Sequence, residues 1–74
     1  MLLTSHNHEV LIPDITKGVL FILNYENNWV VCYTQTSPKD QYYIIDRFEE
    51  KDEAIKLLMK ICAAIASNQK SLIL

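Results

Sequence analysis

One stretch of this sequence, residues 51–68, has the period of a helix, and it limits what the chain can fold into. Its apolar side chains recur at spacings of three and four. Glu49 and Glu50 precede it and Asp52 and Glu53 open it, which suits the positive end of a helix dipole. Since the segments before it alternate with the period of a strand, we predict an α+β fold with this helix packed on a sheet.

The predicted helix is apolar over more of its circumference than one sheet face can cover. The centre of its apolar side consists of Ala54, Leu58, Ile61, Cys62 and Ile65. The flanks add Leu57 and Ala64 on one side and Ile55, Met59 and Ala66 on the other. Because a surface helix needs an apolar arc of only about 100°, we expect something besides the sheet to cover a flank.

The strands are predicted from runs of β-branched and aromatic residues, at Val19–Tyr25, Trp29–Gln35 and Gln41–Phe48. A turn at residues 37–40 leads into the third strand. In this third strand, alternation places Tyr42, Ile44 and Phe48 on one side and Tyr43 and Ile45 on the other. The sheet is then a three-stranded antiparallel meander, and the C-terminal helix packs on one of its faces.

The two ends of the chain are open to more than one interpretation. Residues 1–4, 10–12 and 71–74 are each able to add a strand, which would give a four-stranded sheet. Residues 1–8 alternatively form a flexible arm. In either case a chain of 74 residues makes a single domain, spanning 1–74.

The polar turn between the first two strands decides which of their residues face each other. With a three-residue loop that ends at Asn28 in the left-handed conformation, the facing pairs are Tyr25 with Trp29, Leu23 with Val31 and Phe21 with Tyr33. A two-residue loop at Asn27 and Asn28 would shift this register. In both registers the strands are apolar on both faces, unlike a sheet with one face in water.

Composition argues against several classes of function. The formal charge is −2, whereas nucleic-acid binding depends on lysine and arginine that neutralise phosphates. The one glycine rules out the P-loop and the dinucleotide-binding fingerprint, and no pattern indicates a cofactor. No serine lies in a nucleophile elbow, and the helix dipole explains the clustered carboxylates. We therefore expect no catalytic residues and no enzyme.

Cysteine use and the first residues bear on the compartment. Cys32 and Cys62 each lie among apolar neighbours and are predicted to be buried free thiols. The sequence begins without the basic region of a signal peptide, and no apolar run reaches the length of a membrane span. We expect a cytoplasmic protein.

His6 and His8 are the only histidines, and on a strand they would project to the same side. Glu9 or Asp14 would then be the nearest oxygen ligand. Zinc sites use three or four ligands in a fixed geometry, and this pair lies in a polar segment. Solvation explains the two histidines better than a metal does, so no metal site is predicted.

Aromatic and apolar residues are the best candidates for a functional surface. We predict that Trp29, Tyr33, Tyr43 and Leu57 form an interaction surface on the sheet or the helix. The competing interpretation is that these side chains only pack the core. A homodimer would cover the excess apolar surface, unless residues 1–12 and 71–74 fold back and close the core within one chain.

The function predicted from these patterns is a small non-enzymatic module that binds another protein, as an adaptor, an inhibitor or an accessory protein. The alternative is a nucleic-acid-binding module that uses the sheet face opposite the helix. The order of elements, with Phe48 before the helix and Glu53 and Ala54 at its start, resembles the three-stranded DNA-binding domains of plant transcription factors and integrase arms. Those domains bind DNA with arginine-rich strands, whereas Arg47 is the single arginine here.

Overall fold

The computed structural model describes residues 1–35 and 42–74, and it contains two small sheets and one helix. In chain order the elements are β1 (Leu2–Thr4), β2 (Leu11–Ile12), a 3-10 helix (Ile15–Lys17), β3 (Val19–Tyr25), β4 (Asn28–Thr34), β5 (Tyr43–Phe48), α1 (Lys51–Ala66) and β6 (Ser71–Ile73). The predicted turn at residues 37–40, and Gln41, lie outside the described residues.

The larger sheet is the predicted antiparallel meander, in the order β3-β4-β5. Helix α1 contacts all three strands, so the α+β prediction is confirmed. The helix ends two residues earlier than predicted, because the i→i−4 bonds stop after the Ser67 amide, and the Asn68 and Gln69 amides donate instead to the Ile65 and Ala64 carbonyl oxygens. Asn68 then turns the chain with a φ of 57°, a conformation that glycine more often supplies at a helix end.

The terminal segments form a second sheet of their own instead of extending the meander. Its order is β2-β1-β6, with β1 antiparallel to β2 and parallel to β6. Leu2–Thr4 is therefore the central strand of a sheet, and the arm interpretation of residues 1–8 does not hold for these three residues. The turn that follows is closed by the Val10 amide, which donates to the Ser5 hydroxyl.

The hydrophobic core lies between the two sheets and the helix. Its fully buried members are Leu3, Ile12, Ile15, Val31, Tyr33, Ile45, Ala54 and Ile61. Two of them, Leu3 and Ile12, come from residues 1–12, and Leu72 and Leu74 pack against the cluster, so both terminal segments fold back onto the core of the chain. The Tyr33 ring fits against Gly18, where a Cβ atom would clash with both this ring and the Thr34 carbonyl.

The buried side of α1 is rotated relative to the prediction. Cys62 was predicted at the centre of the sheet-facing side and as a buried thiol, and it is exposed. Ala64, predicted on a flank, is buried together with Ala54 and Ile61. When a helix has apolar residues on both flanks, its sequence alone does not determine which residues face the core. Packing against the sheets determines this. Cys32 is buried, as predicted.

The predicted pairs of the first hairpin are wrong by one residue. The turn consists of two residues, Glu26 and Asn27, both with positive φ, and Asn28 is already in β4. Trp29 therefore faces Asn24 instead of Tyr25. The pairs predicted between Leu23 and Val31 and between Phe21 and Tyr33 are displaced in the same way, since each strand residue now faces its partner's neighbour. A type I′ turn matches the twist of the strands better than the predicted loop.

A bulge in the β4–β5 pair breaks the alternation predicted for the third strand. The register shifts between Val31 and Cys32, so that Ile44 faces Cys32 and Asp46 faces Val31. Ile45 is the extra residue, and it packs in the core. Because one inserted residue reverses the sides that follow, Phe48 lies beside Trp29 and contacts the core, and it does not share a face with Ile44.

Candidate interaction surface

The predicted interaction residues do not form one surface. Tyr33 is fully buried, and its hydroxyl donates to the Asp14 carbonyl oxygen at 3.1 Å, so Tyr33 is a core residue and the prediction that it lies on an interaction surface is wrong. Trp29 and Leu57 are half-buried and pack against the core. The Lys51 ammonium lies 5.2 Å from the centre of the Trp29 ring. Only Tyr43 is largely open to solvent, at 58% exposure.

The sheet face opposite the helix is mainly apolar and is separate from the core. Directly opposite residues of an antiparallel pair point to the same face, which groups the apolar residues Phe21, Leu23, Val30, Cys32 and Ile44 and adds Arg47, opposite Val30. Val30 and Cys32 are almost completely buried, and burial raises the pKa of the Cys32 thiol. Phe21 is half-buried and stacks edge-on against Tyr42, with ring centres 5.6 Å apart.

Strand β3 is one edge of the meander, since among the described residues it pairs only with β4. Its sequence is VLFILNY, with no charged residue and no proline over seven positions. Its pairing with β4 runs without a bulge. Proteins usually protect an edge with lysine, proline, a bulge or a very short strand, and β3 has none of these features.

The other described edges are protected in at least one of these ways. Strand β5 contains Asp46 and Arg47, and its pairing with β4 includes the bulge. Strands β2 and β6 are two and three residues long. The contrast singles out β3 as the place where a further strand can be added.

The hairpin turn determines which backbone groups of β3 make no hydrogen bond to β4. In a two-residue turn the flanking residues, Tyr25 and Asn28, form a hydrogen-bonded pair, and such pairs then alternate along the strands. The N–H and C=O groups of Leu20, Ile22 and Asn24 therefore point away from β4. The uncharged run of β3 is visible in the sequence. Which of its backbone groups point outward depends on the hairpin register, so the sequence does not predict these three residues as binding residues.

Two large apolar side chains flank this edge, one near each end of β3. Val19 is 55% exposed and Tyr25 is 49% exposed. Other exposed apolar side chains lie elsewhere: Leu2, Leu11 and Ile73 in the second sheet, Tyr43 on β5 and Met59 on the helix. The strands of the second sheet are short, and β5 carries two charged residues and a bulge. Among the described strands, β3 is therefore the one that combines exposed apolar side chains with a long uncharged row of outward-pointing backbone groups.

A cleft of about 370 Å³ separates the β1–β2 turn from β5. It is lined by Asn7, Glu9, Val10, Ile44, Ile45, Asp46 and Arg47. Ligand pockets are mainly apolar with few polar groups, whereas polar side chains predominate here. Two of them bond within the cleft wall, since the Asn7 amide donates to Glu9 at 3.1 Å. We assign no ligand to this cleft.

The structure gives no support for a metal site among the residues it describes. No group of three or more histidine, cysteine, aspartate or glutamate side chains converges there. His6 and His8 are exposed in the β1–β2 turn. Asp14 is engaged elsewhere, because its carboxylate accepts hydrogen bonds from the Met1 ammonium group and from Thr16.

Comparison with protein-family models, with curated proteins and with solved structures finds no match to this chain. Among the described residues, no helix has the length and apolar character needed to cross a membrane. What the chain does is therefore inferred from its own residues, and the open edge of β3 is the feature that supports an inference.

Proposed function

We propose that this protein is a non-enzymatic interaction module that binds a strand of another polypeptide along the edge of β3. The observation that carries the proposal is the row of outward-pointing backbone groups at Leu20, Ile22 and Asn24 on an uncharged strand. An added strand would satisfy these groups by main-chain hydrogen bonds, and alternate side chains would supply selectivity. Val19 and Tyr25 are positioned to contact such a strand on the face opposite the helix.

The alternative, nucleic-acid binding through the sheet face opposite the helix, has less support. This face is mainly apolar, and its one basic residue from β3, β4 and β5 is Arg47, opposite Val30. Phosphate contacts require several lysine or arginine side chains. The proposal also includes a cytoplasmic location, which the two free cysteines favour, because unpaired thiols are typical of a reducing compartment.

The substitution Asn24→Pro tests the β3 edge with little damage to the fold. The Asn24 side chain is exposed and its N–H points away from β4, so proline removes an edge donor without removing a bond of the β3–β4 ladder. Leu11→Asp is the control, because Leu11 is 61% exposed on the second sheet. Circular dichroism would confirm that both variants fold.

The measurement is affinity capture from the native cell with the wild-type chain and the two variants. We expect the proteins recovered with wild type to be recovered equally with Leu11→Asp and to be lost with Asn24→Pro. Equal recovery with all three chains would show that the β3 edge is not the binding surface.

A further inference from the structure

We infer that the strand bound along β3 is β3 of a second copy of this chain, antiparallel and centred on Ile22. This inference rests on the proposed function and names its partner. The centre follows from the backbone, because Leu20, Ile22 and Asn24 carry the outward-pointing groups and Ile22 is the middle one. A two-fold axis there brings the two Ile22 residues together and pairs Leu20 with Asn24 of the other copy, giving about six interchain hydrogen bonds.

The same axis pairs the exposed apolar side chains of β3. Val19 and Tyr25 lie at equal distances along the strand on either side of Ile22, so Val19 of one copy faces Tyr25 of the other. These are the two large apolar side chains of β3 that one chain leaves about half exposed. Between them Phe21 faces Leu23 of the other copy, and all four positions lie on the face opposite the helix.

Charge favours self-pairing of β3 over pairing of β5. When a strand pairs with its own copy about a two-fold axis, a charged residue near the axis comes close to the same residue of the other copy. Like charges that face each other destabilise a sheet. Strand β3 carries no charge, whereas β5 carries Asp46 and Arg47. The axis is perpendicular to the sheet, so the product is a continuous six-stranded antiparallel sheet with both helices on one face.

Sedimentation equilibrium of variants that carry one or both of two introduced, opposite charges tests this register. We expect the wild-type chain to approach twice the single-chain mass over about a hundredfold range of concentration. Val19→Lys and Tyr25→Glu should each weaken association about tenfold, because each affects both symmetry-related Val19–Tyr25 pairs. The double variant Val19→Lys/Tyr25→Glu should regain most of the loss, since the introduced charges are opposite and face each other across the axis.

The rescue cannot arise within one chain, because positions 19 and 25 are six residues apart on the same strand, roughly 20 Å. Leu11→Lys is the matched control and should sediment as wild type does. A single-chain mass at every concentration would overturn the inference, and so would failure of the double variant to recover association. If the chain is a monomer but still captures another protein in an Asn24-dependent way, the inference falls and the proposed strand-binding function stands.

Discussion

At the scale of single residues, Asp14 ties the first residue of the chain to the turn that leads into β3. Its carboxylate accepts a bond of 2.6 Å from the Thr16 hydroxyl and one of 3.0 Å from the Met1 ammonium group. Its carbonyl oxygen accepts the hydroxyl of Tyr33. The Thr16 hydroxyl is the main reason that the pKa of Asp14 falls from 3.8 to about 2, followed by the Met1 ammonium group.

This lowered pKa predicts a dependence of stability on acid. A carboxylate whose folded pKa is depressed stabilises the fold above its unfolded pKa of 3.8, and that contribution disappears as the pH falls through about 2. We therefore expect the urea concentration at the unfolding midpoint of the wild-type chain to decrease as the pH is lowered from 3.8 to about 2. Asn has no proton to gain, so Asp14→Asn should be less stable at neutral pH and lose less on acidification. Identical pH profiles would contradict the role of Asp14.

At the scale of elements, the turn Glu26–Asn27 sets the register of the hairpin and therefore the faces of β3. Both residues have positive φ, 49° and 64°, a conformation that costs an ordinary side chain about 1–2 kcal/mol. Asparagine tolerates it and is favoured in the first position of a type I′ turn. Glu26 thus stores strain that a substitution can release.

We expect Glu26→Asn to raise the free energy of unfolding by about 1 kcal/mol, measured by urea denaturation. Glu26→Ala is the control, because it removes the same charge but keeps a side chain that disfavours the left-handed conformation. If alanine stabilises the chain as much as asparagine does, charge and not backbone conformation is the cause.

The elements show how far sequence patterns reach. The helix and the three strands of the meander follow from local periodicity, which depends only on neighbouring residues. The register error at Trp29 arose because Asn28 and Glu26 compete for the left-handed positions, and glutamate is an unusual choice there. The bulge at Ile45 and the exposure of Cys62 depend on packing between elements, which the period of one segment does not contain. The pairing of Leu3 with Ile12 and Leu72 joins the two ends of the chain, so no local pattern predicts it.

The candidate surface, too, is predicted from the sequence only in part. The apolar character of β3 and the excess of apolar surface are visible in the sequence, and they motivated the prediction of a partner. Which side chains face that partner depends on the hairpin register and on the core. For that reason the sequence pattern predicts Tyr33 on the surface, whereas in the structure Tyr33 lies in the core.

At the scale of the whole molecule, two sheets and a helix close a core to which both terminal segments contribute side chains. Part of the apolar surface that remains exposed lies on β3, at Val19 and Tyr25, and the edge of this strand is uncharged and unprotected. We propose that a second copy of the chain adds its β3 at this edge. Such pairing would protect alternate amide protons along β3 from exchange.

Amide hydrogen exchange, resolved by residue and measured at low and high protein concentration, detects this pairing. In the single chain the amides of Phe21 and Leu23 bond to β4, whereas those of Leu20, Ile22 and Asn24 point to solvent. We predict that the latter three exchange rapidly in dilute solution and become protected as concentration rises, while Phe21 and Leu23 are protected throughout. Rapid exchange at Leu20, Ile22 and Asn24 at every concentration would contradict the account.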